Sequence, residues 1–236
     1  MKKSIIAFIS LITLCIEPLM ASAEFSFKKY QVENGLSHNT TWCAIQDSYG
    51  FLWIGTSNGL NCYYGSGNKI YRNVLNDKYS LGNNFVSSLM EEGEDLWIGT
   101  SSGLYIYDRS DDHFLYFDKT TKYGVFISCE VKKIVKTKNG LIWIATLGQG
   151  IFIYDPAKDV LTQNSIRTFF AWDICQGTDS LVYVSSMQEG LLCFDEEGTF
   201  LQNYPVSSEL SIGNQRINCL HSIEHETVSY THLTLP

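Results

Sequence analysis

FLWIGTSNGL, residues 51–60, decides the fold, because the chain spells it again. Residues 96–104 read LWIGTSSGL, 142–151 IWIATLGQGI and 181–191 LVYVSSMQEGL. Trp53 and Trp97 are 44 residues apart, Trp97 and Trp143 46, and Trp143 and Tyr183 40. A period in the forties with a tryptophan on a strand is the signature of a propeller blade rather than a helical solenoid.

Each repeat carries four short strand signals separated by turn residues. In the second, FVSSLM (85–90) is the first strand, LWIGT (96–100) the second, LYIY (104–107) the third and FLYF (114–117) the fourth. Trp42–Gln46, Val131–Val135, Trp172–Gln176 and Ile217–His221 are the first strands of the other units. Alternation puts Trp53 and Gly55 on one sheet face and Leu52, Ile54 and Thr56 on the other. A strand apolar on both faces is expected where blades stack on either side.

The recurring residues are therefore read as structural. Trp53, Trp97 and Trp143 fill the space between blades. Gly55 and Gly99 leave room for a bulky neighbour, with Ala145 and Ser185 keeping the same position small. Gly59, Gly103, Gly150 and Gly190 sit in turns that need φ > 0. Tyr107-Asp108 and Tyr154-Asp155 close third strands, each aspartate free to bond nearby backbone.

The expectation is an all-β β-propeller fragment over 24–223, with blades around 36–78, 79–122, 123–165 and 166–208 and a partial fifth from 209. Residues 224–236 break the pattern and read as a truncated or non-native end. At the other end, Lys2-Lys3, an apolar run and Ala21-Ser22-Ala23 read as a signal peptide over 1–23. Its removal leaves 15 basic against 24 acidic residues. That balance argues against nucleic acid, whose binding depends on neutralising phosphates, and against an anionic lipid surface. Six cysteines remain with no CxxC pair, so no zinc site is indicated, and buried free thiols are the preferred reading.

The segment FSFKKYQVENGLSHNTTWCAIQDSYGFLWIGTSNGLNCY (25–63), with Ser80–Phe85 leading into the second blade, resembles the two-component regulator propeller repeat of periplasmic sensors. It is similar in particular to the start of hybrid two-component sensors. The resemblance implies a periplasmic ectodomain, a membrane span, and a histidine kinase further along a longer chain. It also implies an oligosaccharide ligand, partnership with the chain's own downstream ectodomain and kinase, and membrane attachment only through that later part; it leaves a homodimer open.

No catalytic residue, cofactor or metal site is indicated. His221 and His225 lie in predicted strand, where a four-residue spacing makes no helical metal face. Glu91-Glu92, Asp111-Asp112 and Glu196-Glu197 read as solvated turns. Asp47–Trp53 resembles the sialidase Asp-box, with one residue too many between Asp47 and Gly50. For ligand binding, the loops before the first strand and those between the second and third share one propeller face. The candidates there are His38, Asn39, Asn58, Asn83, Asn84, Gln149, Arg167, Trp172 and Gln188. Core filling is the competing reading for Trp42 and Trp172. Two rival functions remain at this level: a propeller lyase similar to streptogramin lyases, with His38 as its nearest catalytic candidate, and a passive envelope scaffold.

Overall fold

Every copy of the motif lies on the second strand of a four-stranded antiparallel sheet, and the sheet runs in simple meander order. The computed structural model describes residues 29–65, 67–166, 168, 170–204, 217–223 and 226–230. The chain divides into two units, Met1–Tyr30 and Gln31–Pro236, and all the blades lie in the second. The expected signal peptide and Arg167 lie outside the described residues.

The first blade is β1 (Thr41–Gln46), β2 (Leu52–Thr56), β3 (Gly59–Tyr63) and β4 (Asn68–Tyr71). The second is β5 (Val86–Glu92), β6 (Asp95–Thr100), β7 (Gly103–Asp108) and β8 (His113–Tyr116). The third is β9 (Glu130–Lys136), β10 (Ile142–Leu147), β11 (Gly150–Asp155) and β12 (Val160–Gln163). The fourth is β13 (Ala171–Gln176), β14 (Val182–Ser186), β15 (Gly190–Phe194) and β16 (Phe200–Tyr204). A fifth sheet is partial: β17 (Cys219–Ile223) pairs antiparallel with β18 (Glu226–Tyr230). The strand β18 falls where the sequence pattern breaks, and ETVSY carries neither the tryptophan nor the glycine of the second strands.

The core lies between the blades, not within them. One cluster joins Trp53 and Leu60 of the first blade to Val86, Ile98 and Phe114 of the second. Another joins Trp97 to Val131, Ile144 and Tyr154, and a third joins Trp143 to Ala171, Val184 and Phe194. Each repeated tryptophan is thus the centre of one seam. Burying an indole removes about 200 Å² from water, a gross gain of at most about 5 kcal/mol.

The small residues behave as the repeat demands. A Cβ on Gly99 would lie 2.8 Å from Val131 Cγ1, and one on Gly55 2.7 Å from Val86 Cγ1. In both cases the valine belongs to the next blade. In the third blade the position holds Ala145, and the residue facing it across the seam shrinks to Ala171. Gly103 has φ 124°, and a Cβ there would meet Ile127 O at 2.7 Å.

One sequence expectation is corrected. The paired carboxylates are not simply solvated. Glu91, next to last in β5, takes Arg109 Nη2 at 3.1 Å, while Asp112 accepts the hydroxyls of Tyr71 and Tyr107 at 2.8 and 2.7 Å. The Asp47 turn works despite its extra residue: Oδ1 accepts the Tyr49 and Phe51 amides, and Oδ2 accepts the Trp53 indole at 2.7 Å. Thr137 stands at the same place before Trp143, and that indole Nε1 is buried without an acceptor among the described residues. All six cysteines of the described residues are free thiols.

Candidate ligand site on the channel

The first strands pack side by side around the inside of the propeller. Each of the four pairs with its second strand until the register slips by one residue, at the same place in every blade. The residues left unpaired are Trp42, Ser87, Lys132 and Trp172. A bulge of this kind bends a strand and re-aims a side chain. Here, repeated by the blade grammar, it presents four side chains to one cavity of about 410 Å³.

Lys132 organises that cavity. Its Nζ lies 4.2 Å from the ring centroid of Trp172 and 5.3 Å from that of Trp42. It also bonds Glu130 at 3.0 Å, and its side chain is only 8% exposed. The ammonium is held between two indoles, one from the first blade and one from the fourth. Trp42 is 47% exposed, so it is not core filling. Its indole N–H donates to Ser57 Oγ at 2.8 Å, and its ring meets Phe85 at 5.1 Å, tilted by 47°. Ser87 turns its hydroxyl inward to the carbonyls of Gly99 and Val131.

Below this ring the floor is closed by charge and burial. Asp173 is buried, accepts the Leu220 amide at 2.8 Å and faces Lys133 Nζ at 3.4 Å. Burial pushes the Cys43 thiol up to about 12, against the weaker pull of the Gly55 backbone and the two lysines, which favours the protonated thiol. What the arrangement offers is two aromatic faces with a cation between them. That is binding chemistry.

The residues expected from loop position fall into three groups. Trp172 belongs to the ring. Asn58 and Gln188 are exposed on the turns of the same propeller face. The others brace the chain. His38 Nδ1 accepts the Thr40 amide, Asn39 Oδ1 the Val32 amide and Asn84 Oδ1 the Asn73 amide. Asn83 Oδ1 accepts from Phe85 N and Ser101 Oγ, and Gln149 uses both ends of its amide on Ser128 and Phe126 backbone. Trp42 and Lys132 were missed as site residues. Their signal is the bulge position of each first strand, which reads Trp42, Ser87, Lys132 and Trp172, with Asn218 just ahead of β17.

No group of three or more His, Cys, Asp or Glu among the described residues could hold a metal ion. No helix among them is long and apolar enough to cross a membrane.

Residues 35–58 match the family model described as the two component regulator propeller. A histidine kinase of Formosa agariphila is 38% identical over 68 residues, which is 29% of this chain and 5% of that protein. Among solved structures, the extracellular domain of a hybrid two component system from B. thetaiotaomicron superposes with a TM-score of 0.70 at 20% identity. The alignment covers 82% of this chain and 27% of that one. A catalytically inactive variant of virginiamycin B lyase from Staphylococcus aureus superposes with a TM-score of 0.61 at 14% identity, covering 85% and 64% of the two chains. At these identities the structural likeness speaks for the fold alone. The chain spans 5% of the histidine kinase and 27% of the hybrid two component ectodomain; its residues 35–58 match the two component regulator propeller, and its fold is the propeller fold of that ectodomain.

Proposed function

We propose that this chain is the ligand-sensing propeller segment of a periplasmic hybrid two-component sensor, and that it takes an oligosaccharide at the channel ring. The observation that carries the reading is Lys132 held between Trp42 and Trp172. An indole offers a sugar its flat apolar face, and an ammonium held there by cation–π attraction of roughly 0.5–2 kcal/mol can be displaced. A sugar ring entering between the indoles displaces the Lys132 ammonium from both rings and leaves it with Glu130 alone, changing contacts among the first, third and fourth blades together. Signalling requires the bound and free arrangements to differ in affinity for the ligand, and the displaced lysine supplies such a difference. The histidine kinase that would read it lies in the longer protein the family resemblance implies.

The test is calorimetric titration of the chain with a panel of oligosaccharides, repeated on Trp42→Ala and Trp172→Ala. The reading expects at least one glycan with saturable binding, weakened at least tenfold in each variant. Binding that survives both substitutions unchanged contradicts it.

A further inference from the structure

A second cavity, of about 560 Å³, opens at the seam of the first two blades. It lies at the opposite end of the strands from His38 and Asn58, among the turns that follow β1 and β7. That volume suits a small ligand. Its walls are aromatic: Tyr49, Phe51, Trp53, Tyr64, Tyr71 and Tyr107. Trp53 is buried beneath, whereas Tyr49, Phe51 and Tyr64 are 55%, 38% and 47% exposed. Tyr49 and Phe51 stack at 6.5 Å with 25° between their planes, and Tyr64 stands edge-on to Phe51 at 72°. Three exposed rings thus share one wall.

The wall is held in place before any ligand arrives. The Tyr49 hydroxyl donates to the Glu94 carboxylate of the second blade, its backbone amide is fixed by Asp47, and Arg109 lies 4.9 Å from its ring centroid. Such preorganisation lowers the entropic cost of binding.

The charges around the cavity do not balance. Its two cations are engaged by carboxylates outside the lining: Arg109 with Asp47 and Glu91, Lys69 with Asp112. Three lining carboxylates, Glu94, Asp95 and Asp108, are left with no ion pair among the described residues. Glu94 has the Tyr49 hydroxyl, and Asp108 has the Ser110 amide and hydroxyl at 2.8 and 2.7 Å. Asp95 begins β6 and Asp108 ends β7, and burial with that neighbouring charge raises the Asp95 carboxyl above the usual range. An anion would be repelled here, and a purely apolar ligand would strip water from acids and return nothing.

We propose that the seam cavity binds an amino sugar, its pyranose C–H face on the Tyr49–Phe51 wall and its ammonium toward Asp95 and Asp108. The aromatic cavity makes the site, and the carboxylates select the amine. This second site does not rest on the channel reading.

The probe is the β-1,4-linked glucosamine dimer, with cellobiose as its neutral match, titrated calorimetrically into the whole chain at pH 7 and low salt. The amine dimer is expected to bind at least tenfold more tightly than cellobiose. Asp95→Asn, an exposed change that leaves the fold intact, is expected to weaken the dimer at least fivefold and leave cellobiose as it was. Tyr49→Ala should weaken both sugars, and Trp172→Ala neither. Equal affinity for the two sugars overturns the proposal, as does no binding of the dimer. Dimer binding lost in Trp172→Ala but kept in Tyr49→Ala removes the seam site and leaves the channel reading standing. The reverse pattern establishes the seam site whatever the glycan panel shows at the channel.

Discussion

Gly99 and Val131 face each other across the seam of the second and third blades, and the pair gives a quantitative test of how the repeats fit. A Cβ on Gly99 would lie 2.8 Å from Val131 Cγ1, 3.0 Å from Val131 Cβ and 3.1 Å from Ser88 Cβ. Gly99→Ala therefore overpacks a closed seam, at a cost of about 1–3 kcal/mol. Val131 is fully buried, and Val131→Ala loses two methyl-sized groups, about 1.6 kcal/mol by transfer alone, with a cavity term on top. Were the sites independent, the double variant would lose the sum. The methyl gained at 99 instead enters the space vacated at 131, as Ala145 and Ala171 fit one seam further on. The double variant should be no less stable than Val131→Ala alone, a favourable coupling of about 1–3 kcal/mol. Urea unfolding of the parent chain, both single variants and the double gives this coupling from the midpoints. Additivity within about 0.5 kcal/mol would refute the reasoning.

Other consequences arise at the first seam. Trp53 has an acceptor in Asp47 and Trp143 has none among the described residues, so Trp53→Phe should cost about 1 kcal/mol more than Trp143→Phe in chemical denaturation. Arg109→Ala strips Asp47, whose side chain is fully buried, of its ion partner. The expected loss is about 3–5 kcal/mol, and Arg109→Met should recover none of the ionic part. For acid stability the sign runs one way. Burial alone would raise the Asp47 and Asp112 carboxyls, but hydrogen bonds from Trp53 and Arg109 to the first, and from Lys69, Tyr107 and Tyr71 to the second, hold both below the usual range. Their contribution is present above the unfolded carboxylate pKa of about 4 and lost as pH falls through the lower folded values. Thermal melts from pH 6 to 2 should show this loss, and Asp47→Asn should flatten the slope.

The blade grammar was legible because it rests on two periods that sequence displays directly, the two-residue alternation of a strand and the spacing of the tryptophans. The small residues at 55, 99 and 145 could be read the same way, since a repeated seam imposes a repeated volume. The bulge was not legible. A one-residue slip is a property of register between two strands, and it turns Trp42 from a presumed core position into a channel wall. The amides at 39, 83, 84 and 149 carry the composition of both a sugar site and a turn, and only their partners reveal which backbone groups they satisfy. The seam cavity depends on contacts such as Tyr49 with Glu94, 45 residues apart, which no local pattern announces.

The channel ring is the central claim, and the five tryptophans allow it to be read directly. Labelling with 5-fluorotryptophan and recording 19F spectra while titrating an oligosaccharide that binds resolves one signal per indole. The account predicts that Trp42 and Trp172 shift together and saturably, that Lys132→Ala moves the same two signals before any sugar is added, and that Trp97 and Trp143 stay fixed. Ligand-dependent shifts confined to the seam tryptophans, with Trp42 and Trp172 unmoved, would contradict it.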